Sequence, residues 1–337
     1  MPDTLLELKD LKTSFRVAGN YYAAVDNVNL TINKNEVFAV VGESGSGKSA
    51  MAMSIMRLHN LLYTRLEGQI IFKGTDLLPL TVNEMNKYRG SQMSMVFQDA
   101  LSALNPLFRI GYQIDEVLYY HTKMDAAKRK VKVLEMLDEV GIVNPELTYM
   151  QYPHELSGGM RQRIMIAMAL VCEPDLVICD EPTTALDVTI QAQILDLLRN
   201  LKKKHKSSII LITHDLGVVA EMADRVAVMY AGQIVEIASV WDLFENPQHP
   251  YTRSLLESIP NMDNQVDRLH VIQGMVPPLH LMPRTGCRFC HRTPWVDPAS
   301  HEEEPKYYET SPGHLVLCSC HKTFSFAGRD AEKGKVS

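Results

Sequence analysis

The segment Gly42-Glu43-Ser44-Gly45-Ser46-Gly47-Lys48-Ser49 has the spacing G-x-x-x-x-G-K-[ST]. Glycines at those intervals let successive backbone N–H groups converge on phosphate oxygens. Lys48 adds a point charge toward the β- and γ-phosphates, and the Ser49 hydroxyl is suited to Mg²⁺. Downstream, the apolar run Leu176-Val177-Ile178-Cys179 ends in Asp180-Glu181. Asp180 at a strand end would hold Mg²⁺, and Glu181 would orient or deprotonate an attacking water. Gln98, after Met95-Val96-Phe97, offers a neutral oxygen to the metal and the water. His214, after Ile209–Thr213, would face the γ-phosphate as a donor to developing charge. Taken alone, a Gln, a His or an Asp-Glu pair signifies little, and it is their combination with the phosphate loop that gives them meaning.

A second anion site is written into Leu156-Ser157-Gly158-Gly159-Met160, where Ser157 and the glycine N–H groups open a helix running through Arg161-Gln162-Arg163. Both anion sites are helix N-termini that would serve the same γ-phosphate, so one chain cannot easily fold one onto the other. Two chains arranged head to tail can, each closing over the other's ATP.

The surrounding pattern must supply strand ends and helix starts at these positions. Residues 5 to about 41 read as strands, with alternation over Ala24–Leu30 and a doubly buried run at Glu36–Val41 feeding the glycine loop. Lys48–Met56 reads as a helix and Gln69–Phe72 as a strand. From about 99 to 165, apolar residues at helical spacing (Val131, Leu134, Met136, Leu137) predict an inserted helical subdomain. Strand character returns at Asp175–Asp180, Ser208–Thr213 and Arg225–Tyr230, between helical patterns such as Ile190–Leu198, which implies a mainly parallel sheet. The expected class is α/β: a phosphate-loop ATPase domain with a mixed sheet over 1–245, and a small irregular extension over 246–337. Glu245–Pro250 marks the boundary, prolines punctuate the segment beyond it, and Ala327–Ser337 is polar enough to fray.

Composition narrows the function. The 337 residues are 46% hydrophobic and 22% charged with a net charge of −6, which argues against nucleic-acid binding through general electrostatics. No apolar run approaches the roughly eighteen residues of a membrane span, and Met1-Pro2-Asp3-Thr4 has no signal-peptide character. The chain is expected to be soluble and cytoplasmic, with other subunits supplying any spans. Cys172 and Cys179 sit in apolar segments and read as buried small hydrophobes. Cys287 with Cys290, and Cys318 with Cys320, form C-x2-C and C-x-C pairs that in a cytosolic chain suggest a metal before a disulfide.

Phosphate loop, Gln98, LSGGM, Asp180-Glu181, Ala185-Leu186-Asp187 and His214 together resemble, in order and context, the ABC ATPase family. The resemblance implies that Phe15 stacks on adenine, that Asp187 touches the partner across a dimer, and that the helical insertion receives coupling helices of membrane subunits. Asn246–Leu256, Ile259-Pro260 and Pro283 through Gly286-Cys287-Arg288-Phe289 resemble more narrowly the extension of oligopeptide and dipeptide importer ATPases, the D-subunit type of the Opp/Dpp permeases. That likeness implies an ATP-hydrolysing motor at the cytoplasmic face of the membrane. It would pair with a second ATPase chain, identical or related, and work with two transmembrane permease subunits and an extracytoplasmic peptide-binding protein. The alternatives are the same motor role in an importer of dipeptides, nickel or another small solute, or a soluble ABC ATPase outside transport. Several such proteins have a four-cysteine iron–sulfur site here. In this chain Thr293 replaces the second cysteine and the third falls near Ser300 or His301. Cys287 and Cys318 match, while Cys290 and Cys320 are extra. The four thiolates suit an iron–sulfur cluster or tetrahedral Zn²⁺, with His291 or His321 as substitute ligands, or they pack a small subdomain as reduced thiols.

Overall fold

A computed structural model describes residues 3–99, 103–184, 186–258 and 272–325. Of the residues singled out in the sequence, Ala185, Ile259-Pro260 and Ala327–Ser337 lie outside the described residues. In chain order the elements begin with strands β1 (Thr4–Val17), β2 (Asn20–Asn33) and β3 (Val37–Val41), then helix α1 (Lys48–Ile55) and strands β4 (Thr64–Phe72) and β5 (Thr75–Asp76). Next come α2 (Val82–Met85), β6 (Met93–Val96), α3 (Ile110–His121), α4 (Ala126–Glu139) and α5 (Pro145–Met150). They are followed by α6 (Gly158–Leu170), β7 (Leu176–Asp180), α7 (Val188–His205), β8 (Ser208–Ile212) and α8 (Leu216–Met222). The rest are β9 (Arg225–Tyr230), β10 (Gln233–Ser239), α9 (Val240–Glu245), α10 (Pro250–Glu257), β11 (Tyr307–Ser311) and β12 (His314–Leu317).

Two sheets form. β2-β1-β4-β5 is antiparallel, and the larger runs β11-β12-β10-β9-β3-β8-β7-β6. Its centre is parallel, β9 with β3, β3 with β8, β8 with β7 and β7 with β6. Because β3 is covered on both faces, every one of its residues is buried. Val37, Ala39 and Val41 face a core shared with α3, α4, α6 and α7, while Phe38 and Val40 face the core under the smaller sheet with Leu6, Val28 and Met51. Burying five apolar side chains there is worth about 1.5–3 kcal/mol for each large one, which fixes the strand that delivers the phosphate loop.

The insertion is helical, and its helices start where caps permit: Asp125 accepts the Lys128 N–H and Asn144 the Leu147 N–H. Its buried stripe differs from the expected one. Met136 and Leu137 are buried with Val133, whereas Val131 is exposed on the opposite side of α4. The extension contributes a hairpin, β11–β12, that the sequence does not suggest. β12 pairs antiparallel with β10 through Glu236–Val316 and Ile237–Leu315, so part of the extension continues the main sheet.

Candidate functional site

Parallel strands place loops at one edge of a sheet, and the chemistry-bearing residues gather there. The phosphate loop leaves β3 and winds into α1. An added Cβ at Gly42 would stand 2.1 Å from the Met229 carbonyl oxygen, and one at Gly47 would stand 2.5 Å from that of Ala24. Neither position admits a side chain, and both have positive φ. Lys48 is buried, its Nζ donating to the carbonyls of Gly42 at 2.8 Å and Glu43 at 3.0 Å. Burial pushes the ammonium below its ordinary value, against the pull of the Glu181, Asp180 and Glu43 carboxylates.

Ser49 Oγ donates to Asp180 Oδ1 at 3.0 Å, joining the first turn of α1 to the end of β7. Asp180 is raised above the usual carboxylate range by burial, with the Ser49 hydrogen bond opposing. A divalent cation held between these two oxygens offsets that penalty, so the pair forms a suitable Mg²⁺ donor set. Glu181 follows in the left-handed region at φ 46°, a strained position for a non-glycine residue. Its backbone N–H donates to Ile212 O at 2.9 Å, which pins the turn to β8. Its carboxylate receives Gln98 Nε2 at 2.9 Å and Thr184 Oγ1 at 2.8 Å, and lies 3.4 Å from His214 Nδ1. Lys48, Ser49, Gln98, Asp180, Glu181 and His214 therefore form one cluster that can hold a phosphate, a cation and an aligned water. Thr184 belongs to it as well and has no signal in the sequence beyond its nearness to Glu181.

Ser157, Gly158 and Gly159 stand apart from that cluster. Ser157 caps α6, accepting the Met160 N–H at 3.3 Å, and a Cβ at Gly158 would meet nothing within 4 Å. The segment is a helix start exposed at Ser157 and Gly158. Asp187 caps α7 by accepting the Ile190 N–H at 2.9 Å, and Ile190 packs on Gly159. The buried Gln162 amide donates to Pro182 O at 2.6 Å, tying α6 to the loop that follows Glu181. Phe15 lies in β1, half-buried and edge-on to His59 with ring centroids 5.1 Å apart.

In the extension, Cys287, His301, Cys318 and Cys320 place one ligand atom each within 4.8 Å of one another. This corrects the set expected from sequence. Cys290 is outside the group, because it opens a short 3-10 turn (Cys290–Arg292) and packs half-buried against the core. His291 is exposed, and His321 directs Nδ1 to the Cys318 carbonyl at 2.8 Å. Both ring nitrogens of His301 are buried without a hydrogen-bond partner among the described residues. An orphaned imidazole beside three thiols is a group that could hold a metal ion. Cys318 is held below the usual thiol range by its Cys287 and Cys320 neighbours, which are themselves pushed up. The two remaining cysteines are inert by burial: Cys179 is fully buried and pushed up to about 12, and Cys172, only half-buried, to about 11.

Residues 25–184 match the ABC transporter family, and residues 235–299 match the C-terminal region of oligopeptide/dipeptide transporters. The chain is 48% identical over 334 residues to the oligopeptide transport ATP-binding protein OppD of Lactococcus lactis subsp. cremoris (strain SK11), covering 99% of both chains. It belongs to the ABC transporter ATP-binding proteins of the oligopeptide/dipeptide family. The dipeptide transport ATP-binding protein DppD of Bacillus subtilis (strain 168) is 50% identical over 317 residues, 94% of each chain. Among solved structures, the dimeric post-hydrolysis state of the ATP-binding cassette MJ0796 bound to ADP and Pi aligns with a TM-score of 0.63 at 28% identity, covering 70% of this chain and 99% of that one. Among the described residues no helix is long and apolar enough to cross a membrane.

Proposed function

We propose that this chain is the ATP-hydrolysing motor subunit of an importer of oligopeptides, working at the cytoplasmic face of the membrane. The observation supporting hydrolysis is the convergence of Gln98, Thr184 and His214 on the Glu181 carboxylate beside the Ser49–Asp180 pair. In this reading Lys48 and the loop N–H groups bind the β- and γ-phosphates, and Ser49, Gln98 and Asp180 hold Mg²⁺. Glu181 takes a proton from the attacking water, and His214 stabilises charge on the γ-phosphate. Phe15 stacks on adenine, and Ser157, Gly158, Gly159 and Asp187 act across a head-to-tail dimer on the partner's nucleotide. Mg²⁺ supplies charge neutralisation when bound.

We further assign residues 1–245 to the ATPase domain, with the helical subdomain at about 99–165 as the receiver of two permease subunits, and 246–337 to the extension. The second ATPase of the pair is an identical or a related chain, and an extracytoplasmic binding protein would deliver the peptide. Co-purification from detergent-solubilised membranes tests the assembly: two multi-span subunits, a second ATPase and a peptide-binding protein are expected. Recovery of soluble partners alone refutes it. Competitive uptake of dipeptides and longer peptides then separates the oligopeptide reading from importers of dipeptides or nickel.

For the extension the ligand spacing favours a single ion. Tetrahedral Zn²⁺ with Zn–S near 2.3 Å spaces its sulfurs by about 3.8 Å, which suits atoms gathered within 4.8 Å. In a 4Fe–4S cluster each thiolate binds a different iron, and in a 2Fe–2S cluster the four ligands are split between two irons, so either spreads the ligand atoms wider than one ion does. Zn²⁺ on Cys287, His301, Cys318 and Cys320 is therefore proposed over a cluster. Elemental analysis of anaerobically purified protein should give about one zinc per chain, and iron with inorganic sulfide would reverse the choice.

A further inference from the structure

The extension reaches back to the phosphate loop through three arginines. Arg284 Nη1 donates to Ala23 O at 2.8 Å, and Arg288 donates to Ala231 O at 2.5 Å while pairing with Asp26. These bonds secure the backbone against which Gly47 packs, since Ala24 O and Gly232 both lie within contact of it. Arg292 grips the loop itself. Its Nη1 is 2.6 Å from Glu43 Oε2 and its Nη2 3.1 Å from Glu43 Oε1, a bidentate pair whose arginine side chain is only 6% exposed. Nε donates to the Gln273 carbonyl at 2.7 Å and Nη2 also to that of Gly274 at 3.1 Å, and the guanidinium lies near the rings of Tyr230 and Phe289.

Glu43 is thus held at three points. Its carboxylate is clamped by Arg292, its N–H donates to Tyr251 Oη at 2.8 Å, and its carbonyl receives Lys48 Nζ at 3.0 Å. Two of the three anchors come from beyond residue 245, and the third is the lysine that faces the phosphates.

We propose that Arg292 is a positioning residue for ATP: through Glu43 it fixes the phosphate loop in its binding geometry before nucleotide arrives. The proposal rests on the reading of residues 42–49 as an ATP site. A partly buried bidentate ion pair is a poor means of gaining stability, because much of its attraction is spent on desolvation, but it does define one geometry. A loop already ordered loses little conformational freedom on binding, whereas a loosened loop must be ordered by ATP itself. The cost then falls on affinity, and turnover at saturation is spared because the cluster around Glu181 is untouched.

The test uses the full chain and its Arg292→Gln, Glu43→Gln, Arg292→Lys and double Arg292→Gln/Glu43→Gln variants. A fluorescent ATP analogue gives Kd, and phosphate release gives KM and kcat. Each single Gln variant should raise Kd and KM about tenfold with kcat within about twofold of the wild type. The double variant should be no worse than the poorer single one, and Arg292→Lys should recover part of the loss. Glu43→Gln keeps the test valid should Arg292→Gln fail to fold. An unchanged KM with reduced kcat, or two single effects that multiply in the double variant, overturns the proposal. A wild-type chain that neither binds nor hydrolyses ATP overturns the ATP-site reading as well, an outcome distinct from an active enzyme whose KM does not move.

Discussion

Glu181→Gln separates the chemistry at this site from its architecture. Gln98 Nε2 and Thr184 Oγ1 both donate to Oε2, while Oε1 faces His214 Nδ1 at 3.4 Å. An amide with its oxygen in the Oε2 place keeps both hydrogen bonds, and its nitrogen can donate to an unprotonated Nδ1. The backbone at φ 46° is no more strained for Gln than for Glu. The substitution removes a negative charge and a base. General-base catalysis contributes about 10²–10⁴-fold, or about 3–5 kcal/mol of barrier, so turnover should fall by about three orders of magnitude with ATP affinity retained. Without hydrolysis the ATP-bound pair persists, and light scattering after gel filtration should show a stable dimer with Mg-ATP. Phosphate release within about threefold of wild type would refute the assignment. So would loss of nucleotide binding in parallel with turnover, because the variant would then have damaged the site rather than its base.

Three further predictions concern the frame around the site. His249 is fully buried and pushed down to about 4, its Nδ1 accepting the Tyr251 N–H. The unfolded chain takes up a proton near pH 6.5 that the folded chain refuses, so this stability is present above 6.5 and is lost as pH falls toward 4; up to about 3 kcal/mol is involved. Urea midpoints at pH 7 and 4.5 should differ more in wild type than in His249→Asn, and equal slopes would refute it. Gln162→Ala orphans the buried Pro182 carbonyl and should cost about 1–3 kcal/mol; an unchanged denaturation midpoint contradicts that. His301→Ala should lose zinc while Cys290→Ser keeps it, and the reverse pattern by elemental analysis would restore the thiol-only ligand set.

How much of this is legible in the sequence depends on how local the determinant is. β3, β7 and β8 announce themselves because a strand buried on both faces must be a continuous apolar run, and the phosphate loop because its close backbone contacts admit only glycine at positions 42 and 47. In β1 the alternation is interrupted where Asp10 turns to φ 49° inside a register shift. The β11–β12 hairpin escapes notice because β11 is mostly exposed and polar, leaving no apolar period to detect. Spacing alone does not single out His301, although the family resemblance places its third cysteine near Ser300 or His301, and the regular C-x2-C spacing points to Cys290 instead. Arg292 and Glu43 are separated by 249 positions, and no local pattern reports such a pair.

In the proposed head-to-tail pair the start of α6 and the end of β7 would serve different nucleotides, yet within one chain they are mechanically joined. Gln162, one turn into α6, donates to the carbonyl of Pro182, the residue immediately after Glu181, and Gly159 packs on Ile190 in the first turn of α7. Ser157, proposed to face the partner's ATP, and Glu181, proposed to face this chain's own, thus sit at the two ends of a short buried hydrogen-bonded connection. An interior hydrogen bond of this kind holds because breaking it strands a buried acceptor. A shift of the Glu181 turn between its nucleotide states must therefore either break the bond or move the start of α6 with it. The second would spare the buried bond, and would couple the helix start proposed to face one nucleotide to the turn proposed to face the other.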